Sequence, residues 1–164
     1  ISLSNPGSPF VQTVPFSLLD LPTISFERTH LNNWLQAAHQ DFRGIVTPAD
    51  PALPGETLHL FVRNMGPVDR PVATGERSPI DPPARVTISF ACYLSGRIDE
   101  PGQRVTGLQD PFAGLAGGSI GIYQIDITIP ADWTSGRAAL SCRTEFRGDV
   151  GTLYIRPAPT SPSP

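Results

Sequence analysis

The sequence predicts an all-β protein, and three observations carry that expectation. Nineteen prolines are spread through 164 residues, more than twice the usual share of roughly 5%, so no long helix has room between them. Several runs alternate apolar and polar residues with the period of a half-buried strand. Between those runs stand Gly, Pro, Asn and Asp in turn combinations. Five or more strands separated in this way make an antiparallel two-layer sandwich or barrel. The length suits one domain that can bury about two-thirds of its unfolded surface.

Residues 1–28, "ISLSNPGSPFVQTVPFSLLDLPTISFER", mix Pro6, Pro9, Pro15 and Pro22 with apolar residues. Proline is confined to edge strands and extended segments, so this stretch is expected to be an N-terminal arm laid along another surface. In "THLNNWLQAAHQDFRG" a short helix competes with a β-hairpin. Leu31, Trp34, Leu35 and Ala38 fall at helical spacing, while Asp41 to Gly44 look like a turn.

From residue 45 the strand pattern is clearer. Leu58, Leu60 and Val62 alternate with polar or bulky neighbours after the turn "PGE". Val86, Ile88, Phe90 and Cys92 share one face of the next run. "GIYQIDITIP" is the cleanest period-2 stretch, with Tyr123, Ile125, Ile127 and Ile129 on one side. "RAALSCRTEF" sets Leu140, Cys142, Thr144 and Phe146 together, and "GTLYIRP" follows an expected turn at Arg147 to Gly151. Residues 66–85 and 95–119 are long connections of the kind that carry binding on a rigid scaffold. The sandwich is expected over 29–157, and the Ser/Pro stretch 158–164 reads as a PPII-like tail that contacts a neighbour.

A formal charge of −3 and a pI near 5.5 give no basic footprint, so nucleic acid is not an expected partner. All twelve cationic residues are arginines, which removes amine nucleophiles and the P-loop lysine. No apolar run reaches the roughly 18 residues of a membrane span, and the first residue, Ile1, suggests a mature or excised segment. Cys92 and Cys142, the two cysteines, fall on apolar strand faces. The chain is expected to be exported, with one disulfide. That bridge would close a loop of about 50 residues and stabilise the fold by up to ~4 kcal/mol on chain-entropy grounds. Trp133 lies nine residues before the second cysteine rather than on the strand that follows the first, so any immunoglobulin likeness is one of architecture.

The chemistry-bearing motifs are weak. Gly117, Gly118, Ser119, Ile120 and Gly121 spell G-x-S-x-G, but a nucleophile elbow needs a strand before the serine and a helix after it. Here a strand follows, and His30, His39 and His59 all precede Ser119. The same topology defeats a phosphate loop. Gly114, Gly117, Gly118 and Gly121 are expected to serve positive-φ turns and close strand approach. The histidines lack metal-ligand spacing, and Asp99 with Glu100 lacks a calcium-loop pattern. No cofactor, metal or catalytic residue is expected. A row of Trp34, Tyr93, Phe112, Trp133 and Tyr154 could form a sugar-stacking platform, which keeps glycan binding as an alternative function.

Two stretches, "VTPADPALPGETLHLFVRNMGPV" (46–68) and "FAGLAGGSIGIYQIDITIPADWTSGRAAL" (112–140), resemble the Solibacter-type C-terminal immunoglobulin-like domain of exported acidobacterial proteins. "LQAAHQDFRGIV" (35–46) is similar to a hairpin of that family and favours strands there. The resemblance covers roughly 35–156 and implies export and a sandwich fold, with no catalytic residue to carry over. Gly117 stands where the family commonly has proline, Asn64 and Met65 interrupt its G-x-G-P wording, the 95–111 loop is longer, and the cysteine pair is not a general feature. These readings together predict a non-catalytic structural or interaction module, a subunit of an extracellular assembly that adds its N-terminal arm to a neighbour's sheet edge.

Overall fold

The computed structural model describes residues 22–97, 100–105, 112–145 and 147–157. Among them there is no helix; nine strands build two antiparallel sheets. They are β1 (Ser25–Phe26), β2 (Ala37–Ala38), β3 (Thr57–Arg63), β4 (Phe90–Ser95), β5 (Gln103–Arg104), β6 (Ala113–Leu115), β7 (Tyr123–Thr128), β8 (Arg137–Thr144) and β9 (Gly148–Tyr154). In the first sheet the order is β1-β3-β7-β6, with β2 pairing β3 beside β1. The second sheet runs β5-β4-β8-β9.

The long strands form where one face is buried. Leu58, Leu60 and Val62 of β3 meet Ile125 and Ile127 of β7 on the inner side of the first sheet. Cys92 and Leu94 of β4, Leu140 and Cys142 of β8, and Leu153 of β9 supply the inner side of the second. All belong to one core cluster, so a one-residue slip in any of these strands would turn its apolar set to water.

Several expectations are corrected. At 30–44 the hairpin that the resemblance favoured forms in place of the helix that spacing alone suggested: Arg28 bridges Leu35, and Ala38 bridges Ile45. The helical spacing of Leu31, Trp34, Leu35 and Ala38 is overridden because Leu35 and Ala38 are buried while Leu31 is 94% exposed. The last turn is shorter than expected, since β9 already begins at Gly148 and pairs with Arg143. Phe146 lies outside the described residues.

Residues 22–28, expected in the arm, are part of the sandwich. Ser25 and Phe26 pair with Arg63 and Val62 of β3, and Thr23 bridges Arg147 beside β9. Asp149 accepts from the Phe26 backbone N–H at 3.0 Å and from Arg28 Nη2 at 3.2 Å. This short strand therefore joins the margins of both sheets. Residues 1–21 and the tail 158–164 lie outside the described residues.

The two cysteines face each other on neighbouring strands of one sheet. Cys92 and Cys142 are register partners on β4 and β8, with Cα atoms 4.0 Å apart and sulfurs at disulfide distance. A bridge joining the two sheets, as in antibody domains, is thus not what this pair makes.

Candidate functional site

The glycine-rich stretch links β6 to β7 as a closed turn. Ala116 N–H donates to Ile122 O at 2.9 Å, and the Ser119 hydroxyl donates to Ala116 O at 2.6 Å. Gly118 and Gly121 have φ of 72° and 67°, a region that penalises a Cβ. Gly114 serves close approach instead: it lies in β6, where a Cβ would stand 2.1 Å from Ala84 O. Gly117 lacks a positive φ, and a Cβ there would stand 3.4 Å from Ile80.

The 66–85 connection folds over this turn. Buried Ser78 exchanges backbone bonds with it, donating to Ser119 O at 2.8 Å and accepting from Gly118 N–H at 3.0 Å. The Ser78 hydroxyl reaches Ala116 O, and Arg77 Nη1 donates to Gly118 O at 2.7 Å. The proline-rich loop is therefore anchored to the sandwich by Ser78 and by buried Ala84. Between loop and turn lies a cleft of about 500 Å³, lined mainly by apolar groups including Pro67, Val68, Leu115 and Ile120. Tyr123 reaches into its wall and donates to Gly66 O at 2.6 Å. Burial pushes the Tyr123 phenol above its usual value of 10.0.

No triad assembles around Ser119 among the described residues. A nucleophilic serine needs a base within hydrogen-bond reach, but the Ser119 hydroxyl meets only backbone carbonyls of its own turn. His39 is fully buried and lies 2.7 Å through Nδ1 from Glu56 Oε1. Its Nε2 faces Asp50 Oδ2 at 3.3 Å without hydrogen-bond geometry. Glu56 also accepts from Leu53 N–H at 2.8 Å, so the pair ties the hairpin to the start of β3. His59 pairs through Nδ1 with Asp126 Oδ1 at 2.6 Å and stacks on Phe42 at 4.1 Å. His30 is an exposed turn residue.

Phe42 is a feature that sequence reasoning missed. It sits at φ 54° in the hairpin turn, a costly conformation for an aromatic residue, and its ring covers His59. Beside it, the Arg43 backbone N–H holds the Asp41 carboxyl below its usual 3.8, while the hydrogen bond to Asp50 raises Arg43.

The described residues hold no group of three or more His, Cys, Asp or Glu placed to bind a metal. Glu100 is exposed and stands 3.9 Å from Arg97 Nε, whereas Asp99 lies outside the described residues.

The five aromatics expected as a platform do not share one face. Trp34 lines a shallow groove with Leu31 and Ile45 at the hairpin. Trp133 packs against the core and donates its Nε1–H to Ser135 O at 2.9 Å. Phe112 lies under the Arg85 guanidinium at 5.3 Å. Tyr93 and Tyr154 are on the outer side of the second sheet, beneath Arg143 at 5.5 Å and Arg137 at 6.0 Å.

The class this geometry defines is an all-β protein of two antiparallel sheets, carrying an anchored loop and an apolar cleft at one end. No family model, curated protein or solved structure matches the chain. No helix among the described residues is long and apolar enough to cross a membrane.

Proposed function

We propose that this chain is a non-catalytic, exported interaction module with an immunoglobulin-like sandwich, a subunit that attaches to a neighbouring copy through residues 1–21. The observation that carries this is β1. The last residues of the apolar, proline-punctuated segment are edge-strand material, since Ser25 and Phe26 add to β3 and Thr23 bridges Arg147. Pro22 then stands against Gly66, in the wall of the apolar cleft. Pro22, the first described residue, thus lies beside an apolar surface of the kind that the apolar residues of a neighbouring copy's arm would suit.

The cysteine pair at disulfide distance favours an oxidising compartment. The resemblance of 35–156 to the exported acidobacterial domain points the same way. A catalytic role lacks support because Ser119, His39 and His59 are each held by structural partners.

Removing residues 1–20 tests the proposal by light scattering on sized fractions. The full chain is expected to form oligomers that grow with concentration, while the truncated chain stays monomeric and keeps its melting behaviour. Equal masses for the two proteins would overturn the assignment.

A further inference from the structure

We propose that the outer face of the second sheet binds an acidic polysaccharide, a linear glycan carrying carboxylate groups. Strand β8 turns Leu140 and Cys142 into the core, so Arg137, Ala139, Ser141 and Arg143 project outward. Register places Tyr154 opposite Arg137, and Tyr93 opposite Ser141. Arg104 is opposite Tyr93 and shares its face, and Arg97 lines the same surface as Arg137. Arg97 is paired with Glu100, a carboxylate that also lines this surface, so Arg104, Arg137 and Arg143 carry the excess positive charge of this face in a chain whose formal charge is −3. Such separation of charge concentrates positive potential where an anion would dock.

The geometry of Arg137 and Arg143 narrows the ligand. Each guanidinium carbon stands over a tyrosine ring, at 6.0 Å for Arg137 and 5.5 Å for Arg143, a cation–π contact that leaves the N–H donors of the fork to meet an anion. That is a receptor for carboxylates, which such a fork engages in bidentate fashion. It also covers the ring faces that a neutral sugar or a nucleobase would need for stacking.

The shape narrows it further. Two shallow grooves of about 450 and 370 Å³ meet at Ala139 and Val150. Together they follow β8 from Arg137 to Arg143, roughly 20 Å at ~3.3 Å per residue. Small residues form the floor and Ser141 and Thr152 offer hydroxyls, which suits a hydroxyl-rich chain laid lengthwise. An acidic protein partner fits less well, because protein interfaces centre on apolar anchors and the two tyrosine rings of this face already lie under guanidinium groups. Here the exposed apolar side chain is Val150, while Leu31, Phe42, Ile80 and Ile120 lie elsewhere.

Calorimetric titration of the full chain with polygalacturonate oligosaccharides provides the test, first at low ionic strength and then at about 0.15 M salt. Binding is expected and should weaken as salt rises. Arg137→Gln with Arg143→Gln should weaken it at least about tenfold, at unchanged circular dichroism. Arg143→Lys keeps the charge but not the planar fork and should weaken it several-fold. Arg63→Gln, on the first sheet, should have no effect. Absence of binding at low salt, or equal affinity in the double variant, overturns the proposal. So does equal or tighter binding of polyglutamate, oligothymidylate or neutral dextran, since each would assign the face to a different class of partner.

Discussion

The two sheets hold their outward-facing charge differently. On the first sheet the ionic groups pair among themselves: His59 with Asp126, Arg63 with Glu27, and His39 with Glu56 at the hairpin. Its margins are also covered, β3 by β1 and β2, and β6 by residues 84–86 through Arg85 opposite Gly114. On the second sheet Asp149 and Arg97 pair at the margins, with Arg28 and Glu100, whereas Arg137 and Arg143 lie over tyrosine rings rather than between carboxylates. Internal pairing makes a surface rigid and chemically quiet. A cation held on an aromatic ring stays available to a partner, and this contrast locates a binding face without any motif.

Three changes probe the contrast, in descending order of effect. Replacing Cys92 and Cys142 together by alanine removes the covalent tie within the second sheet. A loss of up to about 4 kcal/mol is expected in urea unfolding. The arginine face should persist in the folded variant, because β8 keeps its ladders to β4 and β9. Gly114→Ala attacks the covered edge of the first sheet, where a Cβ would meet a backbone oxygen that cannot swing aside. A loss of about 3 kcal/mol is expected, with hydrogen exchange rising first at Ala84 to Val86. A loss at Gly114→Ala no larger than that of an exposed strand substitution would show that this edge is not closed as described.

The smallest effect concerns the hairpin turn beside the first sheet. Asp41 is exposed and its carboxyl is held below 3.8 by the Arg43 N–H. Its contribution is therefore present above pH 3.8 and lost as pH falls through the depressed value. An NMR titration should find the Asp41 midpoint below that of an unstructured aspartate. A midpoint at or above 3.8 would remove the turn from the account.

The strands with one buried face were legible from residue order, because Leu58, Leu60 and Val62, or Ile125 and Ile127, repeat at the strand period over six or more residues. Strands β1, β2, β5 and β6 are two or three residues long, too short to show any period. They exist through partners distant in sequence, such as Phe26 against Val62. Gly114 belongs by composition to the glycine turn, yet it sits in a strand because β6 pairs with β7, and the approach of Ala84 leaves no room there for a Cβ. The arginine face was half legible. The alternation in "RAALSCRT" separates Arg137 and Arg143 from Leu140 and Cys142, but register alone brings Tyr93 and Tyr154 to that side. The aromatic row failed for the same reason, since order along the chain carries no information about which sheet a strand joins.

The short strand that joins both sheet margins has a mechanical consequence if residues 1–21 are tethered to a neighbour. A pull on that tether enters at Pro22 and loads the Ser25 and Phe26 backbone bonds together with the Arg28–Asp149 pair. Should these yield, extension proceeds along the chain only as far as Cys92. The cross-link to Cys142 then passes the force directly across, and the 50-residue span between the two cysteines stays out of the load path. The chain can lengthen and absorb work while β8 keeps its hold on β4.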